Sequence, residues 1–304
     1  MGTLSPYIGR FAPSPSGPLH TGSILCALAS YLDAKANAGT WLVRMEDIDP
    51  PREEPGAKER ILKTLQQHSL CWDGEILYQS TRSSAYTEAL TNLKAKQLGY
   101  HCDCNRKRLL SINHIYDGHC RNRDILQQLP YSIRLNCDNA VHQYGLPPEI
   151  TFKDAIQGVQ KENVLEQGDF VIHRKDGLFA YQLAVVVDDI YQGITHIVRG
   201  ADLLDTTAKQ IFLTKLLQGQ AINYGHIPVI VDSTGAKLSK QNHAPAVNDE
   251  TPQANLLQVA KLLGLDCSRL STQHSTREIL TSLIAQWSIK NIPRQRSIAY
   301  ESIQ

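Results

Sequence analysis

Apolar positions near the start of the chain repeat with two different periods. Residues 7–11 form a short mixed run that predicts a strand. Over residues 21–36, Ile24, Leu25, Leu28 and Leu32 fall at helical spacing, which predicts a helix with one buried face, capped by Thr21 or its neighbour and closed by Gly39. Residues 41–45 read as a buried strand. This strand–helix–strand order predicts a parallel pair joined by a right-handed crossover. Helices are expected at 55–68 and 82–98.

Residues 101–150 show weak periodicity and read as an irregular insert. Strand-like runs resume at 170–172, 181–187 and 194–198. A helix is expected near 205–218 and a last buried strand at 227–231. Thr251 and Pro252 open a helix with Leu256, Leu257, Ala260 and Leu263 turned inward, and the tail to residue 304 reads as mostly helical. The sheet is therefore expected to be split by the insert. Ligands of open α/β sheets bind beyond the carboxyl ends of the strands. That places the 12–23 loop, Glu46 and the segments after 181–187 and 227–231 around one crevice.

Composition narrows the class. With 304 residues, 42% hydrophobic and 20% charged, the chain has the make-up of a soluble globular protein. It has no apolar run near the roughly 20 residues that a membrane helix needs, and no signal-peptide pattern is read at its start. The cytoplasm is the expected compartment. A net charge of +1 does not advertise general nucleic-acid binding. Arg106, Lys107, Arg108, Arg121 and Arg123 form a local basic run, read first as solvated surface. Seven cysteines, an odd count, argue against a disulfide framework. Cys26, Cys71, Cys137 and Cys267 are scattered. Cys102, Cys104 and Cys120 cluster, and three thiolates in a short loop-rich segment suit a closed tetrahedral zinc site. Spacing leaves the fourth ligand open among His101, His114, His119 and Tyr116.

Two constellations carry chemistry. The first, Arg10 to Ser23, is a strand end, a Pro- and Gly-containing loop and a helix start. Gly17 and Gly22 allow close backbone approach, and the helix N-terminus with His20 suits phosphate. The second, Lys237-Leu-Ser-Lys240, follows the last predicted strand. Its lysines suit the charge of a leaving pyrophosphate. There is no P-loop pattern.

Taken with Arg44-Met-Glu-Asp-Ile-Asp49, Ala184-Val-Val-Val-Asp-Asp189 and Gly193 to Asp202, these segments resemble the class I aminoacyl-tRNA synthetases, specifically the glutamyl branch. Residues 13–23 resemble that family's HIGH region, and 237–241 its KMSKS loop. Two positions depart: Ser23 stands for the second histidine and Gln241 for the last serine. The five ordered motifs span residues 10 to 241.

The resemblance implies an α/β, Rossmann-like class I synthetase catalytic domain with a parallel sheet. A zinc-bearing insert splits it, and a small C-terminal helical subdomain follows. The expected boundaries are 1–98, 99–168, 169–245 and 246–304. It assigns glutamate contact to Arg10, Phe11, Ala12, Pro13, Ser14, Glu46, Tyr181 and Arg199. It assigns ATP to Pro13, His20, Gly22, Ser23, Lys237 and Lys240, with His20 and Lys240 acting in catalysis and Mg2+ accompanying ATP. Charge logic agrees, since guanidinium groups grip carboxylates and Glu46 suits the ammonium. Which of Arg10 and Arg199 faces the side-chain carboxylate stays open. Short paralogs of this branch hold zinc by Cys, Cys, Tyr, Cys, which implies Cys102, Cys104, Tyr116 and Cys120. They lack the anticodon-binding domains, activate glutamate without tRNA and transfer it to the cyclopentenediol of queuosine in tRNA(Asp). A truncated synthetase charging a tRNA 3′ end and a silent paralog that only binds tRNA or amino acid are the other readings.

Overall fold

The amino-terminal crossover forms where its pattern predicts, in a computed structural model that describes residues 6–125, 130–232, 235–237 and 246–300. Strand β1 (Ile8–Phe11), helix α1 (Thr21–Ala36) and strand β2 (Thr40–Met45) follow in order. β1 and β2 pair in parallel, Ile8 opposite Thr40 and Phe11 opposite Val43. Ile24, Leu25, Leu28 and Leu32 are buried, and so are Ala27, Ala29 and Ala34 on other sides of the helix. The N-cap is His20, in extended conformation and without a side-chain capping bond. At the far end the Gly39 N–H donates to Ala34 O at 2.8 Å.

Helices α2 (Ala57–Gln67) and α3 (Ser83–Ala95) flank β3 (Leu77–Tyr78), which extends β2 in parallel. The segment read as irregular holds regular structure: β4 (Gly99–Cys102), α4 (Arg106–Ser111), β5 (Ser132–Leu135), α5 (Cys137–Tyr144) and β6 (Glu149–Asp154). After β7 (Gly158–Asn163) comes β8 (Val171–His173), which completes an antiparallel sheet in the order β4-β5-β8. Short strands separated by polar turns carry too few residues for a period to show.

The run 181–187, expected to be a strand, is part of helix α6 (Tyr181–Tyr191). Its β-branched stretch misleads because the helix is buried on several sides at once. It packs against α3, β8 and α7 (Thr207–Leu216), and Leu183, Ala184, Val185, Val186, Asp188 and Asp189 are all buried. A short apolar run is ambiguous in that setting, and tertiary packing overrides β-propensity. Strand β9 (His196–Gly200) precedes α7, and β10 (Asn223–Ile227) follows it. These pair in the order β7-β6-β10-β9, with β6, β10 and β9 parallel. β9 runs beside β1, where the Thr195 N–H donates to Ile8 O at 2.9 Å and Thr195 Oγ1 accepts from the Ile8 N–H at 2.8 Å.

The expected strand 227–231 is divided by Pro228, so that β11 (Val229–Val231) starts a separate pairing. Its partner is β12 (Ser297–Ala299), which makes the tail less helical than expected. Helices α8 (Pro252–Leu262) and α9 (Thr276–Gln286) precede it and close over α1. Thr251 is the N-cap residue of α8 and Pro252 sits in its first turn; Leu256, Ala260 and Leu263 are buried and Leu257 partly so. The seven cysteines are all unpaired. No helix among the described residues is long and apolar enough to cross a membrane.

Candidate active site

The parallel strands end on one side, and the residues at those ends define a cleft of about 690 Å³. Arg10 and Phe11 close β1, Glu46 follows β2, Arg199 and Gly200 close β9, and Pro228 follows β10. The loop after β1 supplies Ala12, Pro13 and Ser14. The start of α1 supplies His20, Gly22 and Ser23, Tyr181 opens α6, and Lys237 comes from the segment after β11. Every described residue expected at the glutamate and ATP positions thus lines one cavity. Lys240 and Gln241 lie outside the described residues.

Three buried arginines set the electrostatics. Arg10 places Nε 3.1 Å from Asp189 Oδ1 and Nη2 3.4 Å from Oδ2. Arg44 is fully buried. Its Nη1 donates to Asp189 Oδ1 at 2.7 Å and to Gln192 Oε1 at 2.9 Å, and its Nη2 stands 3.6 Å from Glu46 Oε1. Arg199 has no carboxylate partner among the described ion pairs. Its Nε donates to His226 Nε2 at 3.0 Å and its Nη2 to Thr207 Oγ1 at 2.9 Å. Its Nη1 is buried with no hydrogen-bond partner among the described residues. Arg44 Nε and Nη2 are likewise buried with no hydrogen-bond partner among the described residues, and a buried guanidinium N–H left unpaired costs free energy.

Burial raises Glu46 above its ordinary value although Arg44 and Arg10 pull the other way. Burial acts likewise on Asp189, but Arg10 and Arg44 outweigh it and hold that carboxyl below its usual range. The cluster therefore offers a guanidinium for an anion and, at Glu46, a carboxylate for a cation. Lys237 Nζ holds Asp202 Oδ2 at 2.6 Å, tethering the segment after β11 to the turn beyond β9.

A second cleft of about 670 Å³ adjoins the first and shares Ser14, Ser16, Glu46, Arg52 and Tyr181 with it. Ile48, Val171 and Phe179 give it an apolar wall, and Asp49 and Arg174 a polar one. The Arg174 Nη1–Asp49 Oδ2 distance is 2.9 Å.

The cysteine cluster lies apart from both clefts. Cys102, Cys104 and Cys120 bring their sulfurs within 4.8 Å of one another. Tyr116 Oη stands 3.4 Å from Cys102 Sγ and 3.7 Å from Cys104 Sγ, and accepts from the Cys120 N–H at 3.0 Å. The ring is buried beneath the Arg134 guanidinium, 3.8 Å from its centroid. Although burial opposes it, hydrogen bonding by Tyr116 and Arg134 draws the Cys102 thiol down to about 7, whereas burial pushes the Cys104 thiol up to about 11. Converging soft donors with a lowered thiol suit a metal that binds thiolate. His114 and His119 are exposed, and His101 stacks on Tyr131 at 4.0 Å. Three of the basic residues nearby are paired: Arg108 with Asp117, Arg121 with Asp169 and Arg123 with Asp103.

Sequence reasoning gave no role to the residues that hold the cleft's arginines, although Asp189 falls in the 184–189 motif. Asp188 and Asp189, two acids in an apolar stretch, were a legible signal. Asp188 is fully buried and takes Arg82, Gln79 and Tyr86. Asp154, Thr207 and His226 carried no signal.

Comparison with known proteins gives the family. Residues 8–292 match the family model described as tRNA synthetases class I (E and Q), catalytic domain. A glutamyl-Q tRNA(Asp) synthetase of Citrobacter koseri is 46% identical over 297 residues, covering 97% of this chain and 97% of that protein. One from Escherichia coli strain K12 is 48% identical over 293 residues, covering 96% and 92%. A solved glutamate tRNA ligase from Elizabethkingia meningosepticum, in complex with its amino acid, superimposes with a TM-score of 0.78 at 24% identity. The match covers 97% of this chain and 67% of that one, and bears on the fold. On these matches, nearly end to end with both relatives, the chain belongs to the glutamyl-Q tRNA(Asp) synthetases, within the class I glutamyl and glutaminyl tRNA synthetases.

Proposed function

We propose that the chain is a ligase that activates glutamate with ATP, without tRNA, and transfers it to the cyclopentenediol of queuosine in the anticodon of tRNA(Asp). The observation that carries this reading is the single cleft. It gathers Arg10, Glu46, Tyr181 and Arg199 beside His20, Gly22, Ser23 and Lys237. The relatives' names supply the acceptor.

Glutamate enters with its ammonium toward Glu46 and its side-chain carboxylate toward Arg10 or Arg199, while Ser14 and Tyr181 add neutral hydrogen bonds and the other carboxylate stays free. The main chain of Phe11, Ala12 and Pro13 lies alongside. ATP lies over the start of α1, where free N–H groups and His20 meet its phosphates. The free carboxylate attacks the α-phosphorus in line, a P–O bond forms, and pyrophosphate leaves with the electron pair of the broken bond. Positioning and charge stabilisation account for the rate. Lys237 and Lys240 neutralise the leaving group, and Mg2+ bound to ATP supplies further neutralisation. A hydroxyl of the cyclopentenediol then attacks the activated carbonyl and AMP departs, giving an ester. The acceptor approaches through the adjoining cleft, which shares Glu46 and Tyr181 with the first.

Cys102, Cys104, Tyr116 and Cys120 would hold a structural zinc, which ties the β4–β5 connection into one unit. The four-part division at 98/99, 168/169 and 245/246 belongs to the same proposal. Ordinary 3′-end charging and a silent binding role are the rivals. The test is pyrophosphate exchange into ATP with glutamate and no RNA, then labelled-glutamate transfer to tRNA(Asp) with and without queuosine. Exchange that requires tRNA, or transfer indifferent to queuosine, rejects the reading.

A further inference from the structure

Arg199 is held by a chain of hydrogen bonds whose polarity can be assigned atom by atom. Arginine has only donors, so the Arg199 Nε–H donates to His226 Nε2 at 3.0 Å, and that nitrogen must present a lone pair. The ring proton therefore sits on Nδ1, which donates to Asp154 Oδ2 at 2.6 Å. The other carboxylate oxygen, Oδ1, accepts from the backbone N–H groups of Ile156 at 3.0 Å, Gln157 at 2.8 Å and His226 at 3.1 Å. Asp154 and His226 are essentially inaccessible to solvent, so water cannot substitute for either contact. Burial holds His226 below its ordinary value despite Asp154, which keeps the ring neutral.

The chain crosses three neighbouring strands. Asp154 ends β6, His226 lies on β10 and Arg199 on β9. With Nε fixed by His226 and Nη2 by Thr207, the guanidinium plane is set, and Nη1 is the corner left over. Arg199 itself lines the cleft. We infer that Asp154 and His226 are positioning residues for substrate recognition: Asp154 fixes the tautomer of His226, and His226 aims Arg199 at a substrate carboxylate. The inference rests on the proposed contact between Arg199 and glutamate.

Asp154→Asn provides a nearly isosteric test. Three backbone N–H groups pin the amide oxygen where Oδ1 stands, so the amide N–H2 faces His226 Nδ1. The ring must then carry its proton on Nε2, against the Arg199 Nε–H. The expected result is a glutamate KM raised about tenfold or more, the size of a charge-assisted hydrogen bond, with the ATP KM unchanged. The 15N resonances of His226 should switch from the Nδ1–H to the Nε2–H pattern. His226→Gln, which can keep an acceptor near Nε2, should bind glutamate better than His226→Leu. This pair decides the matter if Asp154→Asn does not fold. Direct binding of labelled glutamate to Arg199→Gln completes the set. Loss there with wild-type binding in Asp154→Asn, or equal binding by the Gln and Leu variants, overturns the relay and leaves the pocket reading standing. Undiminished binding in Arg199→Gln overturns both.

Discussion

Arg10 meets Asp189 through two parallel contacts, Nε to Oδ1 at 3.1 Å and Nη2 to Oδ2 at 3.4 Å, so it has a carboxylate partner within the protein, one that it shares with Arg44. Arg199 is held by neutral groups, His226 and Thr207, and keeps a buried N–H without a partner among the described residues. The two arginines are therefore not equivalent toward an incoming dicarboxylate.

Arg199→Gln should lower kcat/KM for glutamate in RNA-free exchange by about tenfold to a hundredfold, as expected for a buried hydrogen bond to a charged group. The ATP KM should hold. Running the same assay with glutamine on Arg199→Gln and Arg10→Gln identifies the arginine facing the side-chain carboxylate. Its loss collapses the preference for glutamate, while the other variant chiefly weakens binding. Wild-type discrimination in both would remove the two arginines from the pocket assignment.

Asp189→Asn removes the carboxylate charge closest to Arg44, leaving Glu46 at 3.6 Å and the more distant field of Asp188, and breaking such a buried pair costs about 3–5 kcal/mol. The pH dependence has a defined sign. Burial opposes the ionised form of Asp189, but Arg10 and Arg44 bring its folded-state value below the ordinary 3.8. A depressed carboxylate contributes stability that is present above its unfolded value and lost as pH falls through its folded one. The deficit of Asp189→Asn relative to wild type should be full at neutral pH and shrink below pH 3.8. Denaturant unfolding at several pH values measures it. A deficit independent of pH would mean that Asp189 acts through shape alone.

What the sequence made legible follows from how local each signal is. The 12–23 loop and α1 were readable because a Pro- and Gly-containing turn and a 3.6-residue period are local facts. The 181–191 segment was not. Its apolar residues face α3, α7 and β8 together, and no single face remains to set a period. β12 was missed because three residues far along the chain pair with β11, a contact fixed only in three dimensions. Asp154 and His226 were invisible for the same reason: 72 positions apart, they meet only because β6 and β10 are neighbours. The cysteine cluster was legible in part. Spacing grouped the three thiols but left four candidates for the last ligand, whereas burial now separates Tyr116 from the exposed His114 and His119.

One zinc per chain is expected in protein purified without chelator. Tyr116→Phe removes the oxygen that stands 3.4 Å from Cys102 Sγ but keeps the ring beneath Arg134, so packing should survive while zinc affinity falls at least about tenfold. His119→Ala should bind zinc as wild type does. Competition against a chromophoric chelator measures both. The converse pattern would pass the fourth position to His119, and protein free of zinc would remove the site.

On the proposed function, the adjoining cleft takes the acceptor and the first cleft the activation step. It shares Glu46 and Tyr181 with the first cleft, so an acceptor seated there would adjoin the proposed glutamate site. Phe179 lines it beside Ile48 and Val171, and packs edge-on against Tyr86 at 5.2 Å and His173 at 5.4 Å. Phe179 is absent from the wall of the first cleft. An aromatic side chain in a cleft that receives a nucleobase contributes about 1–3 kcal/mol by stacking. Phe179→Leu keeps apolar bulk and removes the ring face. Glutamate-dependent pyrophosphate exchange should therefore stay within about twofold of wild type, while kcat/KM for transfer to tRNA(Asp) falls by about tenfold, as the stacking energy implies. Exchange in the same preparation controls for folding, since on the proposed function it uses the neighbouring cleft and needs no RNA. If transfer is unaffected, the acceptor enters elsewhere. If exchange and transfer fall together, Phe179 supports the activation cleft and the two halves of the reaction are not divided between the cavities.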